Sequence, residues 1–221
     1  MNEIAAKRKQ DQKLSVAINA AIRRAREEAS REAAEALKRK QAEDVANNRG
    51  KPATNPKTTT PAVVKNETKV TRPGSVFDAD PESKALSDDF EKNRGSLPWP
   101  VESGRISMHF SRQKVEGLNI DYDNPGITIE TEAGKSVKAV FEGEVAAVIN
   151  VGPVQGVILK HGKYFSTYSN LESASVSKGQ TVKRGQVIGR VAEKEDGQGE
   201  LEFLISNERN QNFNPEIWLR K

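Results

Sequence analysis

The chain has 221 residues, of which 35% are hydrophobic, 30% are charged and none is cysteine. Globular domains usually hold about 45–50% apolar residues, so a single compact core over the whole chain is not expected. The absence of cysteine excludes disulfides, cysteine-ligated zinc and thiol nucleophiles. With only two histidines, His109 and His161, a histidine-dependent hydrolase is also disfavoured.

The charge is unevenly distributed along the chain. Residues 1–95 hold 20 Lys+Arg and 15 Asp+Glu, a net of +5, whereas residues 96–221 hold 15 and 16, a net of −1. Aromatic residues are only 5% of the chain and do not alternate with a basic cluster, so no nucleic-acid partner is predicted. No apolar run is long enough for a transmembrane helix, and the first residues have no apolar signal region.

Residues 1–47 are predicted to be helical. Between Leu14 and Leu37 there is neither glycine nor proline, and Ala, Glu, Arg and Lys dominate. Apolar residues recur every three or four positions, beginning with Leu14, Ile18 and Ile22 and then thinning to alanine. So narrow a stripe requires a partner, which is either a coiled-coil mate, another protein or the rest of this chain.

Two short segments follow the helix. Residues 48–80 contain Pro52, Pro56, Pro61 and Pro73 and a run of threonines, which predicts a flexible linker. Residues 81–95 are predicted to form a short helix, because Pro81 suits a first turn and Gly95 suits a C-terminal cap.

Residues 96–221 are predicted to form a mainly β domain. Thirteen of the sixteen glycines lie here, between short runs rich in Val, Ile, Thr and Tyr. Strands with turn signals at such intervals predict an antiparallel sandwich or sheet. No glycine-rich loop follows a strand into a helix, so nucleotide binding is not supported.

The β domain resembles the LytM, or lysostaphin-like, domain of zinc peptidoglycan endopeptidases. The segments that carry the resemblance occur in the expected order: Leu97-Pro98-Trp99-Pro100, Gly134-Lys135-Ser136-Val137-Lys138-Ala139, His161-Gly162, Gly179-Gln180 to Gly189, and Asn214-Pro215-Glu216-Ile217-Trp218. The implied fold is a LytM-like antiparallel β domain preceded by a long helix, the end of a coiled coil, and a linker.

The functional residues of that family are replaced here. The resemblance aligns its zinc ligands with Asn124, Thr128 and Glu202, and its two catalytic histidines with Asn170 and Glu200. A lone carboxylate cannot supply the three-ligand frame of a catalytic zinc site. We therefore predict a protein that is not an enzyme and that needs no metal or cofactor, and we interpret both remaining histidines as structural.

A LytM domain without its ligands, following a coiled coil, resembles the EnvC-type murein hydrolase activators. The stretch Leu86 to Pro100 also resembles that family. The resemblance implies a non-catalytic activator of an N-acetylmuramoyl-L-alanine amidase in cell division and daughter-cell separation. It also implies a periplasmic location and coupling of the coiled coil to a membrane division complex of the FtsEX type. The sequence is then interpreted as a fragment of a longer protein.

Two surfaces are predicted to carry this function. The partner-binding groove should be lined by the residues at the former active site: Asn124, Thr128, Tyr168, Asn170, Glu200 and Glu202. The helix around Leu14, Ile18 and Ile22 is predicted to fold back over this groove and inhibit the protein.

Three other functions are alternatives to this interpretation. A lipoyl-like barrel-sandwich adaptor domain on a helical stalk would account for Val137–Val145 and Val182–Ile188, but not for Leu97–Trp99 or the C-terminal stretch. A cell-wall-binding module of unknown target remains open. An active cell-wall hydrolase would need a metal or a nucleophile that the sequence does not offer.

Overall fold

The structure, a computed structural model, describes residues 2–48, 75–114, 121–194 and 196–221. Two α-helices, α1 (Asn2–Asn48) and α2 (Pro81–Lys92), precede the strands. The strands are β1 (Arg105–Met108), β2 (Ser111–Lys114), β3 (Asp121–Asn124), β4 (Ile127–Glu132), β5 (Ser136–Lys138), β6 (Gly143–Val151), β7 (Val154–His161), β8 (Tyr164–Ala174), β9 (Thr181–Val182), β10 (Val187–Val191), β11 (Gln198–Asn207) and β12 (Asn212–Phe213). The predicted fold class, a helix followed by a mainly antiparallel β domain, is confirmed.

The helix α1 is a single element of 47 residues. At about 1.5 Å per residue it is about 70 Å long, longer than the sheet it contacts. Leu14, Ile18, Ile22 and Ala25 are buried, whereas the interposed charged residues are exposed. The side chain of Leu37, the last member of the predicted stripe, lies outside the described residues.

Ten strands form one sheet whose central order is β1-β4-β11-β8-β7-β6-β9, with antiparallel pairing throughout. Side chains alternate between the two faces of each strand. On β11, Leu201, Phe203 and Ile205 point into the main core, and Glu202 and Leu204 point to the other face. That other face is the one over which α1 lies.

The main core is closed by α2 and the C-terminal segment. Phe90 of α2 is fully buried and stacks on His161, with ring centroids 4.8 Å apart, and it also packs on Trp218. Gly162 has a φ of 65°, and a Cβ there would collide with Ser87 of α2. The β domain therefore holds α2 tightly against the β7–β8 turn.

The prediction of a flexible linker over residues 48–80 is wrong at both ends, because Asn48 belongs to α1 and residues 75–80 are ordered. Residues 49–74 lie outside the described residues, but residues 75–80, which we call the Phe77 segment, are ordered. They contain a 3₁₀ helix, Val76–Asp78, and Phe77 is only 1% exposed. Burial of Phe77 offsets part of the cost of ordering these few residues, and a hydrogen bond from Ser75 to Glu208 also holds the segment.

The short helix ends slightly earlier than predicted. Asn93 caps α2, and its backbone N–H bonds to the carbonyl of Asp89. Gly95 instead adopts a φ of 83° in the following turn and donates to the carbonyl of Trp218. In the part of the chain that the structure describes, no helix has the length and apolar composition needed to cross a membrane.

Candidate functional site

The former zinc positions, as we call the three residues that the resemblance aligns with zinc ligands, come together on the sheet face beneath α1. Thr128 of β4 lies directly opposite Glu202 of β11, and Glu202 lies opposite Ser169 of β8. Residues that face each other across antiparallel strands share one side of the sheet. Asn124 joins this row, because its amide Nδ2 lies 3.4 Å from Thr128 Oγ1 and donates to the carbonyl of Met108 at 3.3 Å.

The carboxylates next to this row are paired with cations. Glu200 Oε2 lies 3.2 Å from Lys194 Nζ. Across the sheet from Glu200 stands Glu130, which pairs with Arg105 at 2.6 Å. Glu202 itself is 8% exposed. As predicted, Glu200 and Glu202 share one strand face, with Leu201 on the other.

This set of donors does not fit the zinc ion that the fold implies. An amide, a hydroxyl and one carboxylate replace the imidazole and carboxylate ligands that hold catalytic zinc. The amide nitrogen of Asn124 is already directed at Thr128 and Met108. Within the described ranges, no three His, Cys, Asp or Glu side chains are grouped so that they could hold a metal ion.

Neither histidine supplies a ligand to the row. His161 is fully buried in the opposite core, where Nδ1 donates to the carbonyl of Glu142 at 2.6 Å. Its other nitrogen, Nε2, lies 2.8 Å from Ser166 Oγ and accepts its hydrogen. Burial lowers the pKa of His161 to about 4, against the opposing effect of the Glu142 hydrogen bond. His109 is half exposed and contacts Glu216 at 3.0 Å.

A second row of side chains on the same face is mostly apolar. Leu204 of β11 faces Thr167 of β8, and Thr167 faces Ile158 of β7, which in turn faces Ala147 of β6. Leu204 and Ile158 are buried in one cluster with Phe165 and with Leu14, Ile18, Ile22 and Ala25 of α1. The helix therefore packs its aliphatic stripe directly on this row.

The helix also reaches the former zinc positions. One small cavity, of about 20 Å³, is lined from the sheet side by Asn124, Pro125, Glu202 and Leu204 and from the helix side by Leu14, Ser15 and Ile18. Further along α1, Glu28 accepts a hydrogen bond from Lys178 Nζ at 2.8 Å, in the turn between β8 and β9. This contact lowers the pKa of Glu28.

Two buried hydroxyls on this face have no hydrogen-bond partner among the described residues. These are Thr167 Oγ1 and Ser169 Oγ, in side chains that are 1% and 2% exposed. A buried hydroxyl without a partner costs about 1–3 kcal/mol. Between α1 and the sheet, the apolar side chains are therefore well packed, whereas these two hydroxyls lack hydrogen-bond partners among the described residues.

The prediction that Tyr168 lines the groove is wrong. Its side chain is completely buried on the opposite face, against Phe203 at a ring-centroid distance of 5.3 Å. Its hydroxyl accepts a hydrogen bond from the Val140 N–H at 2.9 Å. Since Thr167 and Ser169 point to the groove face, alternation sends Tyr168 to the core, and burial raises its pKa.

Asn170 lies at a break in the regular side-chain alternation of β8, and it is not part of the row formed by Thr128, Glu202 and Ser169. Its φ is 63°, a conformation that asparagine tolerates better than most residues, and its carbonyl accepts from Ala192 N–H at 2.9 Å. This local break brings both Tyr168 and Leu171 to the core side although they are three positions apart. Of the six residues predicted for the groove, Asn124, Thr128 and Glu202 come together, with Glu200 beside them.

Sequence reasoning missed five members of this surface: Phe77, Ile158, Phe165, Thr167 and Leu204. Leu204 could have been found by alternation from Glu202, since it is two positions further along the same strand. The other four lie on strands or segments whose neighbours are set by the sheet order. No local sequence pattern predicts the order of strands in the sheet.

Comparisons with known proteins agree with this architecture. Residues 122–215 match the sequence model of peptidase family M23. The chain is 30% identical over 167 residues to the murein hydrolase activator EnvC of Escherichia coli K12, and the match covers 72% of this chain and 38% of EnvC. The predicted resemblance to EnvC-type proteins with a LytM, or M23, domain is confirmed. The lipoyl-like alternative does not agree with this match.

Two solved structures are also similar. Helicobacter pylori Csd3 is 25% identical with a TM-score of 0.48, over 57% of this chain and 35% of Csd3. A zinc containing peptidase from Vibrio cholerae is 24% identical with a TM-score of 0.47, over 56% of this chain and 40% of that one. This chain thus spans well under half the length of EnvC and of both structures.

Proposed function

We propose that this protein, with its M23-type domain and its likeness to EnvC, is a non-catalytic activator of an N-acetylmuramoyl-L-alanine amidase. It acts in the periplasm, in cell division, by binding the amidase through the sheet face that carries Asn124, Thr128 and Glu202. In the conformation described here α1 occupies that face and inhibits the activator. The observation that carries this proposal is the packing of Leu14 and Ile18 over the former zinc positions.

The absence of catalysis is supported by the chemistry of the donors. Peptide or amide hydrolysis by a zinc site needs an ion that lowers the pKa of bound water, held by three protein ligands. Asn124 and Thr128 offer a neutral amide and a neutral hydroxyl, which are poor zinc ligands. The similar E. coli protein carries the name of a murein hydrolase activator, which agrees with a binding role for this domain.

The inhibitory contact is strong enough to form and weak enough to be broken. Each of Leu14, Ile18 and Ile22 contributes up to about 1.5–3 kcal/mol when fully buried. The hydroxyls of Thr167 and Ser169 weaken the contact, because they have no hydrogen-bond partner among the described residues. A binding partner with suitable donors or acceptors would satisfy them. A partner helix can therefore replace α1 without having to match all of its apolar burial.

The connection between helix and β domain permits this exchange. Residues 49–74 comprise 26 residues, which can reach at most about 90 Å at about 3.5 Å each. A chain of this length keeps the helix near the groove at an effective concentration in the millimolar range. A membrane division complex of the FtsEX type that draws the helix away would expose the groove, and the helix would rebind once it is released.

The test compares amidase stimulation by the parent chain and by a variant with α1 displaced. Ile18→Asp with Ile22→Asp places two carboxylates in the apolar contact, which displaces the helix because a buried unpaired charge is costly. Val16→Asp is the matched control, since Val16 lies on the same turn but is 64% exposed. We expect the double variant to stimulate peptidoglycan release by a purified amidase more strongly than the parent or the control.

Three further outcomes complete this test. Adding Glu202→Arg to the displaced variant should abolish stimulation, because the groove then carries a bulky cation where a carboxylate stood. Peptidoglycan release by this protein without an amidase would overturn the non-catalytic assignment. Equal stimulation by the parent and a folded double variant would show that α1 does not inhibit.

A further inference from the structure

Phe77 lies outside the matched M23 region and contacts two parts of the molecule at once. On one side it packs on Phe165 of β8, with ring centroids 6.0 Å apart and planes at 72°. On the other side it belongs to the cluster that α1 forms with Leu14, Ile18 and Ile22. We infer that the Phe77 segment is a fixed wall of the amidase-binding groove and that Phe77 contacts whichever helix occupies it. This inference rests on the function proposed above.

The Phe77 segment is attached to the β domain without help from α1. Ser75 Oγ donates to Glu208 Oε2 at 2.6 Å, which joins the start of the segment to the turn between β11 and β12. The same oxygen accepts the Phe77 N–H at 3.1 Å and so caps the 3₁₀ helix. At its other end Asp80 caps α2 by accepting the Ser83 N–H at 2.8 Å.

Because both ends are held by the β domain, the segment stays in place when α1 leaves. Phe77 is 1% exposed with the helix docked, and the helix provides one side of its cover. Departure of α1 would therefore expose Phe77 together with Phe165, Ile158 and Leu204. Soluble proteins rarely leave such a contiguous apolar patch without a binding partner.

The helix seated on this surface shows what kind of partner it accepts. The stripe of α1 places aliphatic residues at intervals of four, Leu14, Ile18 and Ile22, against the sheet and Phe77. Six residues after Ile22, Glu28 binds Lys178 at the rim. The occupant is an amidase helix with three aliphatic residues at that spacing and an acidic residue about two turns further on.

Phe77 thus has a role in both states of the protein, and the two roles have opposite effects on activity. In the docked state it supports the inhibitory helix, and its removal should loosen α1. In the released state it contacts the amidase, and its removal should weaken binding. A residue that only supports α1 would show the first effect without the second.

The experiment measures amidase affinity in the full chain with the helix displaced by Ile18→Asp and Ile22→Asp. Adding Phe77→Ala to this background should weaken binding of the amidase about tenfold or more, as for a buried aromatic at the centre of an interface. Val187→Ala is the control, because Val187 is an exposed apolar residue on β10, and it should leave the affinity unchanged. In the chain with α1 docked, Phe77→Ala should increase hydrogen exchange in α1 and β8.

The outcomes separate the two proposals. If the displaced parent binds amidase and Phe77→Ala binds equally well, the inference about Phe77 is wrong. If the displaced parent is folded and binds no amidase, the proposed function itself fails. Should Phe77→Ala unfold the domain, Ser75→Ala tests the same wall, since it removes the hydrogen bond that holds the segment to Glu208 and leaves the Phe77 side chain unchanged. An unchanged affinity in that variant as well as in Phe77→Leu would overturn the inference.

Discussion

Glu28 on α1 and Lys178 in the turn between β8 and β9 form a hydrogen-bonded ion pair of 2.8 Å, between two residues 150 positions apart. The pair joins the exposed edge of the helix to the rim of the β domain. Both side chains are about half exposed, so the contact contributes about 0–1 kcal/mol in water. Its main effect is to fix the position of the helix along the groove.

Reversing one charge of this pair should therefore shift the helix equilibrium modestly. We expect Glu28→Lys to raise amidase stimulation up to about fivefold, which corresponds to about 1 kcal/mol. Combining it with Lys178→Glu should restore inhibition at low salt, and high salt should reduce the difference between single and double variants. Glu27→Lys is the control on the neighbouring exposed position, and an equal effect there would contradict a specific contact.

Replacing a buried hydroxyl beneath α1 should tighten the inhibitory contact. Thr167→Val keeps the shape of the side chain and removes the hydroxyl that has no partner among the described residues. We expect the docked state to gain about 1 kcal/mol, measured as a higher midpoint of thermal unfolding and as lower basal stimulation of the amidase. Ser166→Ala is the control, since it removes a hydroxyl that is bonded to His161 and should destabilise the domain. A lower midpoint for Thr167→Val would contradict the prediction.

Acid should destabilise the β domain through His161. The unfolded chain binds this proton near pH 6.5, whereas the folded chain binds it only near pH 4, because burial lowers the pKa of His161. Between these values the unfolded state holds more protons, so the free energy of unfolding decreases as the pH falls. Over this interval, protonation of His161 lowers the free energy of unfolding by about 3 kcal/mol in total, at about 1.4 kcal/mol per pH unit.

Urea unfolding at pH 7, 6, 5 and 4 measures this loss. The ring signals of His161 in proton NMR of the folded parent report the pKa directly, without any substitution. His109→Asn is the control, because it removes the other histidine and leaves the buried His161 ring in place. A His161 ring that titrates near pH 6.5 in the folded protein would rule out the assignment.

The purified protein should contain no stoichiometric zinc. The amide of Asn124, the hydroxyl of Thr128 and the carboxylate of Glu202 do not make a three-ligand zinc frame, so added zinc should leave the thermal midpoint unchanged. Metal analysis after growth with excess zinc measures the content. As a comparison, a variant with Asn124→His and Thr128→Asp restores two potential ligands beside Glu202 and should retain more zinc than the parent. One tightly held zinc per parent chain would contradict the assignment of this surface as a binding groove.

The amino-acid sequence by itself determined the succession of elements and the resemblance to a LytM domain. Helix and strand patterns are local, since an uninterrupted Ala-rich stripe predicts α1 and turn glycines separate the β-strands. The hypothesis that Asn124, Thr128 and Glu202 stand where related enzymes have zinc ligands comes from that resemblance and needs no coordinates. The predicted aliphatic stripe at Leu14, Ile18 and Ile22 is the face of α1 that the structure buries.

Only the tertiary structure decided which residues meet beneath that stripe. Tyr168 lies on the core face by alternation with Thr167 and Ser169, and the irregularity at Asn170 then brings Leu171 to the same face, a shift that cannot be derived from side-chain type. The contact of Leu204, Thr167 and Ile158 depends on the order β11-β8-β7, which places β11 beside the β7–β8 hairpin, a part of the chain distant from it in sequence. Phe77 lies in a region whose composition predicts a linker, and it is ordered because Phe165 and the Ser75–Glu208 hydrogen bond hold its segment on the β domain, while α1 completes its burial. The burial of Phe77 combines contacts from three separate parts of the chain, so no local sequence pattern predicts it.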